Sequence, residues 1–244
     1  MRNLLLSILL SLPLYSYGQV VNIESDRGSK PKGSHGSVES SLFLQRGNVS
    51  VFQYQAGLRL DFVGDIHHGL IIGSTSHGEN QESTFQNESY SHLRWTAMWW
   101  SNLGTEVFTQ FQKDDFKLLT LRQLTGCGLR FTFLKELIAV GIGGMSDYEK
   151  IKGSNKKSLN PRGTSYLKIG KSWDDHIKGQ IITYYQPLFN NFSDYRILTT
   201  GSIEFKINKV FSVVNELNYN FDTRPPESVV SEDTQIKIKF KIKW

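Results

Sequence analysis

Hydrophobic and polar residues alternate one by one along most of this chain, most strictly over its last nine residues. There Ile236, Ile238, Phe240, Ile242 and Trp244 interleave with Lys237, Lys239, Lys241 and Lys243. A period of two places the apolar side chains on one face of a β-strand and the lysines on the other. The stretch from Phe52 to Phe62 is nearly as regular. Phe52, Tyr54, Ala56, Leu58, Leu60 and Phe62 face one way, and Gln53, Gln55, Gly57, Arg59 and Asp61 the other.

The same pattern predicts about twelve segments of roughly ten residues from Gly36 onward, the first at 37–45. Short turns are expected at 63–66, 134–135, 174–175 and 208–209, alternating with longer polar loops at 76–88, 150–162, 187–194 and 223–232. Every second strand has an aromatic at or near its end: Phe62, Trp99 and Trp100, Phe133, Trp173, Phe205 and Trp244. Aromatics recurring at one depth are the mark of a membrane interface, and unequal connections that of a membrane barrel. A soluble sandwich has no reason for either. The expected fold is all-β, a transmembrane antiparallel up-and-down β-barrel of about twelve strands, closed because lipid tolerates no open sheet edge.

The N-terminus changes the picture by adding an address. Arg2, the apolar run 4–14, and the small residues Ser16 and Gly18 ahead of Gln19 read as a secretory signal peptide over 1–18. Residues 19–35, rich in Ser, Gly, Lys and Pro, read as a periplasmic extension without a packing pattern, with the barrel over 36–244. A strand of alternating apolar residues ending on an aromatic resembles the C-terminal signature that the barrel-assembly machinery of the bacterial outer membrane reads. The expected partners are therefore that machinery and outer-membrane lipid, and the expected location is the outer membrane of a Gram-negative bacterium.

Composition narrows function mainly by exclusion. Hydrophobic residues make up 39% of 244, too few for a helical membrane protein but ample where only alternate residues meet lipid. A single Cys127, mid-strand between glycines, excludes a disulfide framework, and no Cys/His spacing points to a metal. The net charge of +5 is spread without a basic stripe, so nucleic acid is not an expected partner. No cofactor is implied.

The inward face carries the candidate chemistry. Lumen-lining positions are Arg59, Asp61, His92, Arg94, Glu106, Arg122, Arg130, Glu149, Arg196, Glu204, Glu216, Lys237, Lys239, Lys241 and Lys243, with Asp147, Lys168, Lys206 and Asp222 on the same face. Mixed signs predict pairing across a narrow lumen, while four lysines on one strand leave room for an anion-attracting wall. Gly141 and Gly143, inward beside Ala139, leave space for bulky neighbours such as Arg130. A lipid-hydrolase reading would use His92 with Ser89 or Ser91, or His35 with Ser37; the surrounding residues match no lipid-enzyme motif, so no enzyme is expected.

Several stretches resemble the DUF481 family of Gram-negative outer-membrane proteins, sometimes labelled salt-induced outer membrane proteins. They are Arg46-Gly47-Asn48, Ser91-His92-Leu93-Arg94, and Arg122-Gln123-Leu124-Thr125-Gly126-Cys127-Gly128-Leu129-Arg130. Further along come Gly143-Gly144-Met145 with Glu149, Tyr184-Tyr185-Gln186-Pro187 and Asp194-Tyr195-Arg196. The resemblance implies an outer-membrane barrel and no particular reaction or ligand. The leading expectation is a narrow passive channel contributing to envelope permeability or osmotic adaptation. The alternatives are a non-conducting structural or surface-interaction barrel acting through loops 76–88 and 150–162, and, behind it, a lipid hydrolase.

Overall fold

Twelve antiparallel strands follow one another around a closed barrel in a computed structural model that describes Glu24 and residues 30–46, 50–81, 83–134, 137–153, 157–226 and 229–244. The expected leader over 1–18, residues 19–23 and 25–29 of the expected extension, Gly47 and Asn48 after the first strand, and Lys135 of an expected turn lie outside the described residues. The strands are β1 (Gly33–Gln45), β2 (Val51–Val63), β3 (His67–Asn80), β4 (Thr84–Met98), β5 (Leu103–Asp114) and β6 (Leu119–Phe133). The second half comprises β7 (Ile138–Ile151), β8 (Lys157–Ser172), β9 (Ile177–Leu188), β10 (Asn191–Lys206), β11 (Phe211–Asp222) and β12 (Glu232–Lys243). Each strand pairs with its sequence neighbours, and β12 returns to β1.

Alternation decides which face each residue takes. Along β4, Gln86, Glu88, Tyr90, His92, Arg94 and Thr96 are buried in the interior, while Leu93 and Trp95 between them are exposed. The outer surface carries Leu58, Ile71, Leu129, Ile142, Leu167, Ile181, Leu217, Ile238 and Phe240, all exposed. The interior holds most of the buried charge. An apolar outside and a polar inside is the arrangement that a hydrocarbon solvent demands. A small apolar cluster, Leu70, Ile72, Tyr90, Ala139, Tyr166, Ile182 and Tyr184, packs inside the barrel.

The closing seam is short. β1 and β12 pair from Ser37↔Lys243 to Ser40↔Phe240, and reciprocal bonds link Gly36 N to Trp244 O at 3.0 Å and Trp244 N to Gly36 O at 3.1 Å. By contrast, β1 and β2 pair along the whole of Gly33–Gln45. Gly36 is required here, because a Cβ would run into the Trp244 indole.

At the end marked by aromatics, side chains cap the turns. Asp174 Oδ1 accepts the backbone N–H groups of His176 (2.7 Å) and Ile177 (2.6 Å), and Asn208 Oδ1 does the same for Val210 and Phe211, both at 2.8 Å. Those bonds, His176 first, hold the exposed Asp174 carboxyl below its ordinary pKa. Phe62, Trp99, Trp100, Phe133, Trp173, Phe205 and Trp244 are all exposed at this end.

The opposite end departs from expectation in two ways. First, 76–88 is no loop: β3 and β4 continue as a paired hairpin, with Ser76↔Glu88 and His77↔Asn87 in register, and only 81–83 connect them. Second, 150–162 shrinks to 152–156 and 187–194 to 189–190, so 223–231 is the longest connection at this end. A strand rising above the apolar belt still needs its hydrogen-bond ladder but no longer needs outward apolar residues, so its alternation fades while its structure persists. At the aromatic end, β1 begins at Gly33, opposite Val63, rather than at 37, so the barrel takes in residues assigned to the extension.

Candidate functional site

The barrel lumen is organised into clusters of ion pairs. In the half nearer the aromatic end, Glu24 is fully buried between two guanidinium groups: Arg130 Nη1 at 2.7 Å and Arg94 Nη1 at 3.1 Å. Arg130 also donates to Tyr166 Oη at 2.8 Å. That hydroxyl donates in turn to Glu106 Oε2 at 2.8 Å, and Arg94 lies 3.4 Å from the same carboxylate. Two acids and two arginines balance, which is what burial requires of charges. Gly141 makes this possible, since the Tyr166 ring lies where its Cβ would stand.

A second cluster surrounds Asp61, also fully buried. Lys30 Nζ approaches at 2.6 Å, Arg59 at 2.7 and 2.9 Å, and His68 Nε2 at 3.0 Å. Toward the far end, Asp147 is shared by three arginines: Arg196 at 2.7 Å, and Arg122 and Arg162 at 3.1 Å each. Glu149, Asp194 and Asp222 complete the cluster, at 2.9 Å from Arg196, 2.8 Å from Arg162 and 2.7 Å from Arg196, so four carboxylates meet three arginines.

The lysines of β12 are not an unbalanced wall. Lys239 Nζ sits 2.8 Å from Glu216 and 3.5 Å from Glu39, Lys241 3.0 Å from Glu39, and Lys243 2.5 Å from Glu204. Cross-strand register explains this, because Glu39 stands opposite Lys241 in the β1–β12 pair. Lys237 is the exception: it is buried, and its Nζ makes no hydrogen bond among the described residues.

His92 is buried, its ring stacked on Phe108 at 5.8 Å, with Tyr90 at 6.3 Å on the same inner face. Ser89 and Ser91 lie on the opposite face of β4, so neither forms the Ser–His pair that acyl chemistry needs. His35 Nε2 bonds to the Pro31 carbonyl at 2.8 Å. Cys127 is exposed.

Between the Glu24 cluster and the Asp147 cluster the lumen opens into a cavity of about 640 Å³ that extends up to the 223–231 connection. Its walls include Tyr90, His92, Phe108, Tyr166, Tyr184 and Leu198, with Arg94 and Glu106 toward one end and Arg122, Glu149 and Arg196 toward the other.

Four of these functional groups were beyond strand patterning. Glu24 and Lys30 lie outside any alternating segment. Arg162 and Asp194 stand in stretches expected to be loops, although Arg162 shares the sequence parity of Tyr166 and Lys168 and could have been found by extending that alternation.

A closed antiparallel barrel with an apolar exterior and an ion-paired interior is the architecture of outer-membrane barrels. Within that class the chain belongs to the family described as "Protein of unknown function, DUF481", whose model matches residues 38–244. Among solved structures it is similar to the outer membrane channel of Pseudomonas putida F1, with 10% identity over 93% of this chain and 100% of that chain and a TM-score of 0.56. The translocator domain of autotransporter NalP from Neisseria meningitidis is similar at 7% identity, covering 91% of each chain with a TM-score of 0.50. The NanC porin aligns at 10% identity over 86% of this chain and 97% of its own, with a TM-score of 0.48. No curated protein matches the sequence.

Proposed function

We propose that the protein is a narrow passive channel in the outer membrane of a Gram-negative bacterium, contributing to envelope permeability. The exposed aromatics from Phe62 to Trp244 sit at the periplasmic interface, and the C-terminal strand is the segment read by the assembly machinery. The observation that carries the channel reading is the lumenal cavity, with its ion-paired walls, reaching from the middle of the barrel to the 223–231 connection. Paired charges of both signs lining a confined path select by size and hydrogen bonding more than by net charge.

A second reading, a non-conducting structural barrel, draws on the cluster at Glu24, where five buried side chains (Glu24, Arg94, Glu106, Arg130 and Tyr166) bond to one another across the lumen. Recording current through the refolded protein in a planar bilayer, with reversal potential in a salt gradient, separates the two. Stable unitary steps support the channel. A folded, heat-modifiable barrel that carries no current overturns it in favour of the structural barrel.

A further inference from the structure

The cavity has walls of unusual composition for a channel of ions. Every guanidinium deep on its surface is already engaged: Arg94 with Glu24 and Glu106, and Arg122 and Arg196 with Asp147 and Glu149. A charged solute of either sign in this deep part of the cavity would have to break one of these pairs. Burial makes either exchange costly.

The rest of the wall suits a ring with hydroxyls. Tyr166 and Tyr184 lie 5.4 Å apart at 49°, His92 and Phe108 stack at 5.8 Å, and Leu198 packs against the same apolar cluster. Flat aromatic faces receive the C–H faces of a saturated ring. The Tyr184 hydroxyl lines this space, nine-tenths buried, with no hydrogen-bond partner among the described residues. A buried phenol without a partner costs free energy that a ligand hydroxyl recovers. Tyr90 and Gln110, joined at 3.0 Å, add a polar pair on the adjoining wall. The volume of about 640 Å³ falls within the range of small-molecule pockets.

We propose that this cavity binds an uncharged, polyhydroxylated ring compound of one or two rings, with the Tyr184 hydroxyl as a hydrogen-bonding partner and the aromatic wall as its stacking surface. Binding does not depend on conduction, so the site and the channel reading fail separately.

The test is calorimetric titration of the refolded barrel, in a detergent without a sugar headgroup, with glucose, sucrose, glucuronate and glucosamine. Saturable binding of a neutral sugar is expected. Tyr184→Phe should weaken it about fivefold, the worth of one neutral hydrogen bond. Leu198→Trp, which fills the cavity, should abolish it. Heat-modifiable migration on gels confirms that each variant is folded. Absence of binding by both neutral sugars overturns the proposal. So does tenfold tighter binding of glucuronate or glucosamine, or unchanged affinity in a folded Tyr184→Phe variant.

Discussion

Lys241 Nζ lies 3.0 Å from Glu39 Oε1 across the seam where the last strand closes onto the first. The backbone ladder there is short, running from Ser37↔Lys243 to Ser40↔Phe240, so this ion pair and the Lys239–Glu39 approach clasp the weakest join of the barrel. Lys241 is almost fully buried, and deleting Glu39 removes one carboxylate that compensates its charge. Glu39→Ala should therefore destabilise the barrel by about 2 kcal/mol, less than a fully buried pair because Glu39 keeps some solvent contact. Urea unfolding in lipid vesicles measures this. The double variant Glu39→Ala, Lys241→Ala should recover part of the loss.

The same geometry changes what charge reversal of the lysines should do. Replacing Lys239 and Lys241 by Glu would gather two new carboxylates around Glu39 and Glu216 and remove two lysines that pair with them. The expected result is failure to refold, read as loss of heat-modifiable migration, rather than a channel of inverted selectivity. A folded double variant with inverted selectivity would show that the lysines act as a free wall after all.

Asp147 holds three guanidinium groups in one buried position, so its removal should be among the costliest single changes. Asp147→Asn keeps shape and some hydrogen bonding but leaves Arg122, Arg162 and Arg196 to share Glu149, Asp194 and Asp222. A loss of about 3–5 kcal/mol is expected in urea unfolding. In whatever fraction folds, the reversal potential should move toward anion preference. An unfolding midpoint unchanged from the parent protein would count against Asp147 as the hub.

Much of this architecture was legible because the barrel's solvent imposes it. Residues 236–244 and 52–62 must alternate to face lipid on one side and the lumen on the other, so β12 and β2 announce themselves. Legibility ends where that constraint ends. Above the apolar belt, His77 and Asn87 pair as regularly as any two residues lower down, yet nothing requires their neighbours to be apolar. Partner identity was also hidden. Alternation shows that Lys241 points inward, but only register shows that it meets Glu39. Glu24 was the hardest to foresee, because its place between Arg94 and Arg130 depends on a segment with no period.

Gly141 offers a test of packing in isolation. A Cβ there would occupy the space of the Tyr166 ring, whose hydroxyl links Arg130 to Glu106. Gly141→Ala should cost about 1–3 kcal/mol by overpacking, with the ring forced aside. Tyr166→Ala should relieve the clash, so the double variant should be no less stable than Tyr166→Ala alone. Strict additivity of the two losses in urea unfolding would mean that the contact is not what makes glycine necessary.

The two capped turns provide a pH experiment with its own control. Asp174 accepts N–H bonds from His176 and Ile177, and Asn208 accepts the equivalent bonds from Val210 and Phe211. The Asp174 pKa is depressed in the folded protein, so the stabilisation from its charged form is present above the ordinary carboxylate range and is lost as pH falls through the lowered value. Asn208 does not titrate. Amide resonances of His176 and Ile177 should shift together in acid, with a midpoint below that of an unperturbed aspartate, while those of Val210 and Phe211 stay in place. A midpoint at the ordinary aspartate value would show that the N–H bonds do not favour the carboxylate. Matching shifts at Val210 and Phe211 would point to general loosening of that end of the barrel instead of titration of one cap.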